Sequence, residues 1–289
     1  MNSRTYNDRL TVIIVSFHSN QIIENLINVI EKNIKVLVIE NSLDKKLKID
    51  LEKKFENVQV IIPSKNLGNG AGINLGFSLV KTEFSLYLDV DTVPDKNMIN
   101  ILLENTQKIK NFSMLTPKVQ NFNYGEDLYI EHNKNKKYHK MKFVTGCALL
   151  FNMVSLNEAG FFDENIFLYY EEHDLYHRCL KLGLDIYLID DAKIIHHGSS
   201  AVNKKYNHEI HLNRNWHYCW SKFYYFKKNY GYFYGIKKTI PNFLRAFRKY
   251  LFYTVTRDKK NSLLHRAEIQ GLIASYFLKK SSRRPNINT

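Results

Sequence analysis

Asp89-Val90-Asp91 places two carboxylates two residues apart, where the apolar run 84–88 gives way to Thr92-Val93-Pro94. On the turn leaving a strand, both can face a hard cation, which prefers oxygen ligands. A cation held there neutralises charge that builds on a departing diphosphate. A solvated acidic turn reads the same in isolation, so the pair gains meaning from its context. Residues 160–176 supply the densest part of that context. Glu171, Glu172 and Asp174 open a helix whose Leu175, Cys179, Leu180 and Leu182 are expected to face a core. The helix macrodipole favours acids at an N-terminus, which accounts for part of the cluster but not for Tyr169, Tyr170 and His173 beside it. Repulsion between Glu171 and Glu172 raises one pKa and leaves a general base for a hydroxyl group.

Two further stretches carry chemistry. Ile194-Ile195-His196-His197-Gly198-Ser199-Ser200 ends an apolar run, and adjacent histidines at a strand end serve as metal ligands, proton carriers or phosphate donors. Asn66-Leu67-Gly68-Asn69-Gly70-Ala71-Gly72 precedes a helix, whose first N–H groups suit an anion. The glycine spacing differs from the dinucleotide fingerprint, and no Lys-Ser/Thr follows as in a P-loop. Glycines needed only for turns and close packing would look the same.

These groups need a frame, and the first hundred residues provide one. The continuous run 10–17 reads as a strand buried on both faces, and 36–39, 58–62 and 84–88 read as further strands, with helical periodicity at 22–30, 47–55 and 70–80 between them. Such alternation implies parallel βαβ units, which bind ligands beyond the carboxyl ends of their strands. Residues 16–18, 40–42, 64–68 and 89–91 are therefore expected on one rim. Residues 121–142 are polar and rich in Lys and Asn, a hairpin or loop excursion. Residues 143–151 return to strand, with a short helix near 154–159.

Charge divides the chain. Residues 1–200 hold 23 Lys+Arg and 25 Asp+Glu, whereas 201–289 hold 19 Lys+Arg against Glu209, Asp258 and Glu268, a net of +16. Leu212, Trp216, Cys219, Trp220, Phe223 and Phe226 fall at helical spacing, as do Ile236, Ile240, Phe243, Leu244, Phe247 and Leu251, with Pro241 expected to start or kink the second helix. Aromatics flanked by cations suit a helix in a bilayer interface; a basic cap on the preceding domain, or a nucleic-acid surface, are the rival readings. Nucleic acid is the weaker of these, because it leaves the acids of 89–197 unexplained. Three scattered cysteines, Cys147, Cys179 and Cys219, fit a reducing cytosol. The polar N-terminus reads as no signal peptide, and no segment reaches a membrane-spanning length.

In order along residues 10–225, the stretches VIIVSF, VLVIENS, NLGNGAGINLG, LYLDVDTVP, VTGCALLF, GFFDENIFLYYEEHDLYHRCLKLG and IIHHGSSA resemble family 2 glycosyltransferases, especially the rhamnosyltransferase-like bacterial branch that builds surface polysaccharides. The resemblance implies an α/β GT-A fold over 1–205, followed by a basic helical region over 206–289. It also implies inverting transfer from a nucleoside-diphosphate sugar to a glycan or polyprenyl-linked acceptor, with Mg²⁺ or Mn²⁺ as cofactor. By position, Asp89, Asp91 and His196 would hold the metal. Glu172 would be the catalytic base, followed by Asp174, with Glu171 at the acceptor. Ser16, Glu40, Asn66, Gly68, Gly72, Asp89 and Gly146 would contact the donor, Gly146 and Cys147 forming a loop beneath the sugar. Glu40 stands where the family often has Asp, and Ser16-Phe17-His18 where it frequently has Tyr-Asn. The implied location is cytoplasmic, peripheral on the inner face of the cell membrane.

Overall fold

The computed structural model describes residues 8–132, 135–198, 202 and 206–287. Residues 1–7, Ser199, Ser200 and the domain boundary expected at 205 lie outside the described residues. The chain divides into two compact units: 1–67, 72–162 and 175–203 form one, and 68–71, 163–174 and 204–289 the other.

The first unit is built on a ten-stranded mixed sheet. Strands β1 (Leu10–Ser16), β2 (Lys35–Glu40), β3 (Val58–Ile61) and β4 (Phe84–Asp89) are mutually parallel in the order β3-β2-β1-β4. Their connections contain α1 (Ile23–Asn28), α2 (Lys45–Lys54) and α3 (Gly70–Phe77). Successive side chains on a strand face opposite sides, so Val12 and Ile14 enter one buried core and Ile13 the other. This double burial is why β1 reads as an unbroken apolar run. Asp44 starts α2 by accepting from the N–H groups of Lys46 and Leu47.

Residues 98–119, outside the elements expected from the sequence, form α4 (Met98–Lys108) and β6 (Phe112–Val119). Beyond β4 the sheet continues with β9 (Ala148–Asn152), β6, β10 (Asp185–His196), β8 (Tyr138–Met141) and β7 (Tyr129–Glu131), in that order, β9 lying antiparallel between β4 and β6. The 121–142 excursion contains the antiparallel pair β7 (Tyr129–Glu131) and β8 (Tyr138–Met141). The strand expected over 143–151 starts only at Ala148, and the Cys147 carbonyl just before it accepts from the Asp89 N–H at 2.8 Å. Helix α5 (Met153–Ala159) follows. Helix α6 (Glu171–Lys181) buries Leu175 and Cys179, but Leu182 is exposed, contrary to expectation, since the helix has ended and the chain turns through Gly183. The long strand β10 (Asp185–His196) pairs with β6, β8 and the short β5 (Thr92–Pro94).

The second unit contains three helices, α7 (Asn207–Tyr230), α8 (Tyr232–Val255) and α9 (Lys259–Tyr276). Leu212, Trp216, Cys219, Trp220 and Phe223 on α7 are buried and Phe226 is half-buried, so most of the first aromatic set expected at a bilayer is packed within the protein instead. Helices α7 and α9 approach closely at Gly271, where a Cβ would lie 2.2 Å from the Trp216 carbonyl oxygen. The Trp220 Nε1–H donates to the Lys279 carbonyl at 2.9 Å. Helix α8 runs through Pro241 without interruption. Among the described residues, no helix is long and apolar enough to cross a membrane.

Candidate active site

The acidic pair sits where β4 ends and β5 begins, and sheet pairing brings a distant histidine to it. β5 runs antiparallel to β10 with Thr92 opposite His196, one residue beyond Asp91. The His197 N–H donates to the Asp91 carbonyl at 3.0 Å, and the Thr92 hydroxyl donates to the Asp89 carbonyl at 2.6 Å. As a result His196 Nε2 lies 3.2 Å from Asp91 Oδ1 and 3.6 Å from Asp89 Oδ2. The three ligand atoms all fall within 4.8 Å of one another.

The electrostatics of this corner favour added positive charge. Asp91 is buried, and a buried carboxylate requires a compensating cation. The hydrogen bond to Asp91, reinforced by Cys147 and the charge of Asp89, raises the His196 pKa to about 10. Two carboxylates with one imidazole also fit a divalent cation, which would take the place of the imidazole proton.

Sequence reasoning missed two supports of this corner. The Tyr87 hydroxyl donates to Asp89 Oδ1; the two residues are spaced i, i+2 on one strand face, a legible but unused signal. Asn121 brackets His196 through its backbone, donating from Nδ2 to the carbonyl at 2.6 Å and accepting from the N–H at 3.2 Å. Nothing local in 121–124 marks that role.

The parallel strands place the other expected rim residues of this unit at their carboxyl ends. Ser16 pairs in register with Glu40 across β1 and β2, and both are fully buried. Glu40 Oε1 accepts from the Ser42 N–H at 2.7 Å and from the Ser42 hydroxyl. Ser16 Oγ and Glu40 Oε2 make no hydrogen bond of normal geometry among the described residues. Burial raises the Glu40 pKa, with the serine hydrogen bonds opposing it. Asn41 Oδ1 accepts from the Leu67 N–H at 3.2 Å. Gly72 lets α3 settle on β1, since a Cβ there would come within 3.2 Å of the Val15 side chain.

The acid-rich stretch and the start of the glycine loop belong to the second unit. Gly68 has φ +87°, and a Cβ on it would strike the Phe167 carbonyl oxygen at 2.2 Å. Asn69 then donates its N–H to that carbonyl at 3.0 Å and its Nδ2 to Glu171 Oε1 at 3.1 Å. Tyr169 and Tyr170 both adopt positive φ, 65° and 67°, immediately before α6. Consecutive non-glycine residues in this region are strained and occur where surrounding structure over-determines them. Tyr170 meets that condition by packing on His173, Tyr218 and Tyr225. Burial raises the Glu172 pKa and lowers that of His173 to about 4. The first shift suits proton acceptance near neutral pH, whereas the second leaves His173 a neutral and weakly basic imidazole.

Asp174 has a structural partner that the sequence did not reveal. Its carboxylate is fully buried, 2.8 Å from Lys228 Nζ and 3.3 Å from Asn229 Nδ2 on α7. Lys228 also reaches Asp163 at 2.8 Å, to which the Tyr224 hydroxyl donates at 3.0 Å.

Comparison with known proteins bears on these groups. The sequence model described as Glycosyl transferase family 2 matches residues 11–162. No curated protein matches the sequence significantly. Among solved structures, a mannosyltransferase from Pyrobaculum calidifontis in complex with GDP-Man and Mn²⁺ superposes with a TM-score of 0.59 at 12% identity, covering 97% of this chain and 90% of that one. S. aureus TarS superposes with a TM-score of 0.55 at 16% identity over 90% of each chain. GalNAc-T7 with UDP, GalNAc and Mn²⁺ gives 0.54 at 12% identity over 65% of this chain; that alignment spans only 42% of the GalNAc-T7 chain. At these identities the likeness is one of fold.

Proposed function

The chain belongs to glycosyl transferase family 2 and has the GT-A fold, and from that premise we propose that it transfers a sugar, with inversion, from a nucleoside-diphosphate donor to a hydroxyl of a glycan or polyprenyl-linked acceptor. The proposed setting is bacterial surface polysaccharide synthesis at an anionic membrane surface, with rhamnose as the sugar suggested by the branch resemblance. The observation that carries the reading is the Asp89–Asp91–His196 corner. Mn²⁺ in the mannosyltransferase and GalNAc-T7 structures supports it.

In this reading Asp89, Asp91 and His196 hold Mg²⁺ or Mn²⁺. When bound, the ion supplies positive charge for the diphosphate that leaves the anomeric carbon. Glu172 accepts the proton of the acceptor hydroxyl, whose oxygen bonds to the anomeric carbon as the bond to the diphosphate oxygen breaks. The burial that raises the Glu172 pKa makes it a stronger base than an ordinary carboxylate. Glu171, held by Asn69, contacts the acceptor, and Asp174 anchors the start of α6 through Lys228. Ser16, Glu40, Asn66, Gly68, Gly72 and Gly146 contact the donor.

A thermal-shift screen of nucleoside-diphosphate sugars, with and without Mn²⁺, tests the proposal. A donor at one hundred times its Kd stabilises the fold by about 2.7 kcal/mol. That stabilisation should require Mn²⁺ or Mg²⁺ and should vanish in Asp91→Asn. A donor-independent melt across the panel, or an unchanged shift in the variant, counts against the site.

A further inference from the structure

Helix α8 carries an apolar stripe that the rest of its bundle leaves uncovered. Phe233, Ile240, Leu244, Phe247, Leu251 and Val255 recur at steps of seven, four, three, four and four, which places them on one helical face. All six are exposed, Phe233 by 86% and Val255 by 81%. The buried residues of the same helix, Gly235, Thr239 and Ala246, lie on the opposite face. The stripe therefore points away from α7 and α9 and runs about 33 Å along the helix at 1.5 Å per residue.

Charge identifies the partner. Lys237 and Arg248 border the stripe, and Arg245, Lys238 and Lys249 follow further round the same side of the helix; all are exposed, and α8 contains no acidic residue. A second copy of this region would bring like charge against like charge, +16 over residues 201–289 in each chain. A nucleic acid would match the cations but offers nothing to Ile240, Leu244, Leu251 and Val255. An anionic bilayer satisfies both, with acyl chains for the stripe and headgroup phosphates for its flank. A helix that cannot span lies in the plane of the interface instead.

We propose that α8 docks the protein on an anionic membrane, its Phe233–Val255 stripe immersed at the headgroup–acyl boundary. This deepens the membrane-surface part of the proposed function and rests on it only for the acceptor's lipid anchor. Docking is carried by α8 and not by the aromatic set of α7, which is buried.

Flotation of the full chain with vesicles tests the idea without donor or acceptor, so loss of docking and loss of sugar transfer remain separate results. The chain should float with phosphatidylcholine vesicles containing phosphatidylglycerol and much less with phosphatidylcholine alone. Lys237→Gln with Arg248→Gln should weaken partitioning about 30-fold, at about 1 kcal/mol per cation. Leu244→Ser with Phe247→Ser should weaken it about tenfold or more. Val255→Ser, at the exposed helix end, gives a smaller loss in a position that cannot disturb the bundle core. Flotation insensitive to the serine variants overturns the proposal. So does a concentration-dependent dimer that these substitutions dissociate, or salt-sensitive nucleic-acid binding, when either occurs without flotation.

Discussion

Lys228→Met removes the cation that lies between two carboxylates, and the structure sets the expected cost. Asp174 is fully buried, and its Oδ2 is 2.8 Å from Lys228 Nζ. Leaving a buried charge without its partner costs about 3–5 kcal/mol. Two features reduce that figure here. The Lys228 side chain is 33% exposed, so water already screens part of the pair, and Asn229 still donates to Asp174 Oδ1. About 2 kcal/mol remains, equivalent to a fall in melting temperature of about 4–8 °C for a chain of this size. Circular-dichroism melts of the wild type, Lys228→Met, Asp174→Asn and the double variant form a cycle. The coupling between the two sites should be about 1–2 kcal/mol. The effect should also shrink in acid. Lys228 holds the Asp163 pKa below its ordinary value, so that part of the stabilisation is fully present above pH 3.8 and is lost as pH falls through the lowered folded value. A Lys228→Met melt within about 1 °C of wild type at pH 7 would falsify the clamp.

Three further outcomes are expected. Glu172→Gln should lower turnover about 10²–10⁴-fold with donor affinity nearly unchanged, measured by single-turnover kinetics and calorimetry; retained turnover removes the base assignment. His217 is fully buried with its pKa lowered to about 3, so between there and about 6.5 the unfolded chain binds the extra proton, and stability falls as pH drops. Denaturant titrations should show about 2 kcal/mol lost from pH 7 to pH 5 on this account, a loss that His217→Phe should not share. Gly271→Ala puts a methyl 2.2 Å from the Trp216 carbonyl oxygen and should cost about 1–3 kcal/mol in an equilibrium melt; a neutral result would mean that α7 and α9 can part there freely.

Much of the frame was legible because local patterns carry it. Strands buried on both faces must be apolar throughout, so β1, β2 and β4 announce themselves, and the helices between them show their own period. Asp89 and Asp91 could be flagged for the same reason, since a strand exit with two carboxylates is a local event. Residues 98–119 carried a signal that went unread, since Met98, Ile99, Leu102 and Leu103 recur at helical spacing on α4. Tyr87 was within reach of a strand-period argument; Asn121 and Lys228 were not, because their partners lie far away in the chain.

The amino-acid order alone determined where strands and helices alternate, which carboxylates leave β4, and that the positive charge gathers after residue 200. It left open what each patterned face touches. His196 reaches Asp91 only because β5 pairs with β10, and Asp174 finds Lys228 only through the fold of the second unit. Helices α7 and α8 show the same aromatic periodicity, yet one face is buried in the bundle and the other is bare. Periodicity records that a helix has an apolar side; contacts between residues distant in sequence decide whether protein or something else covers it.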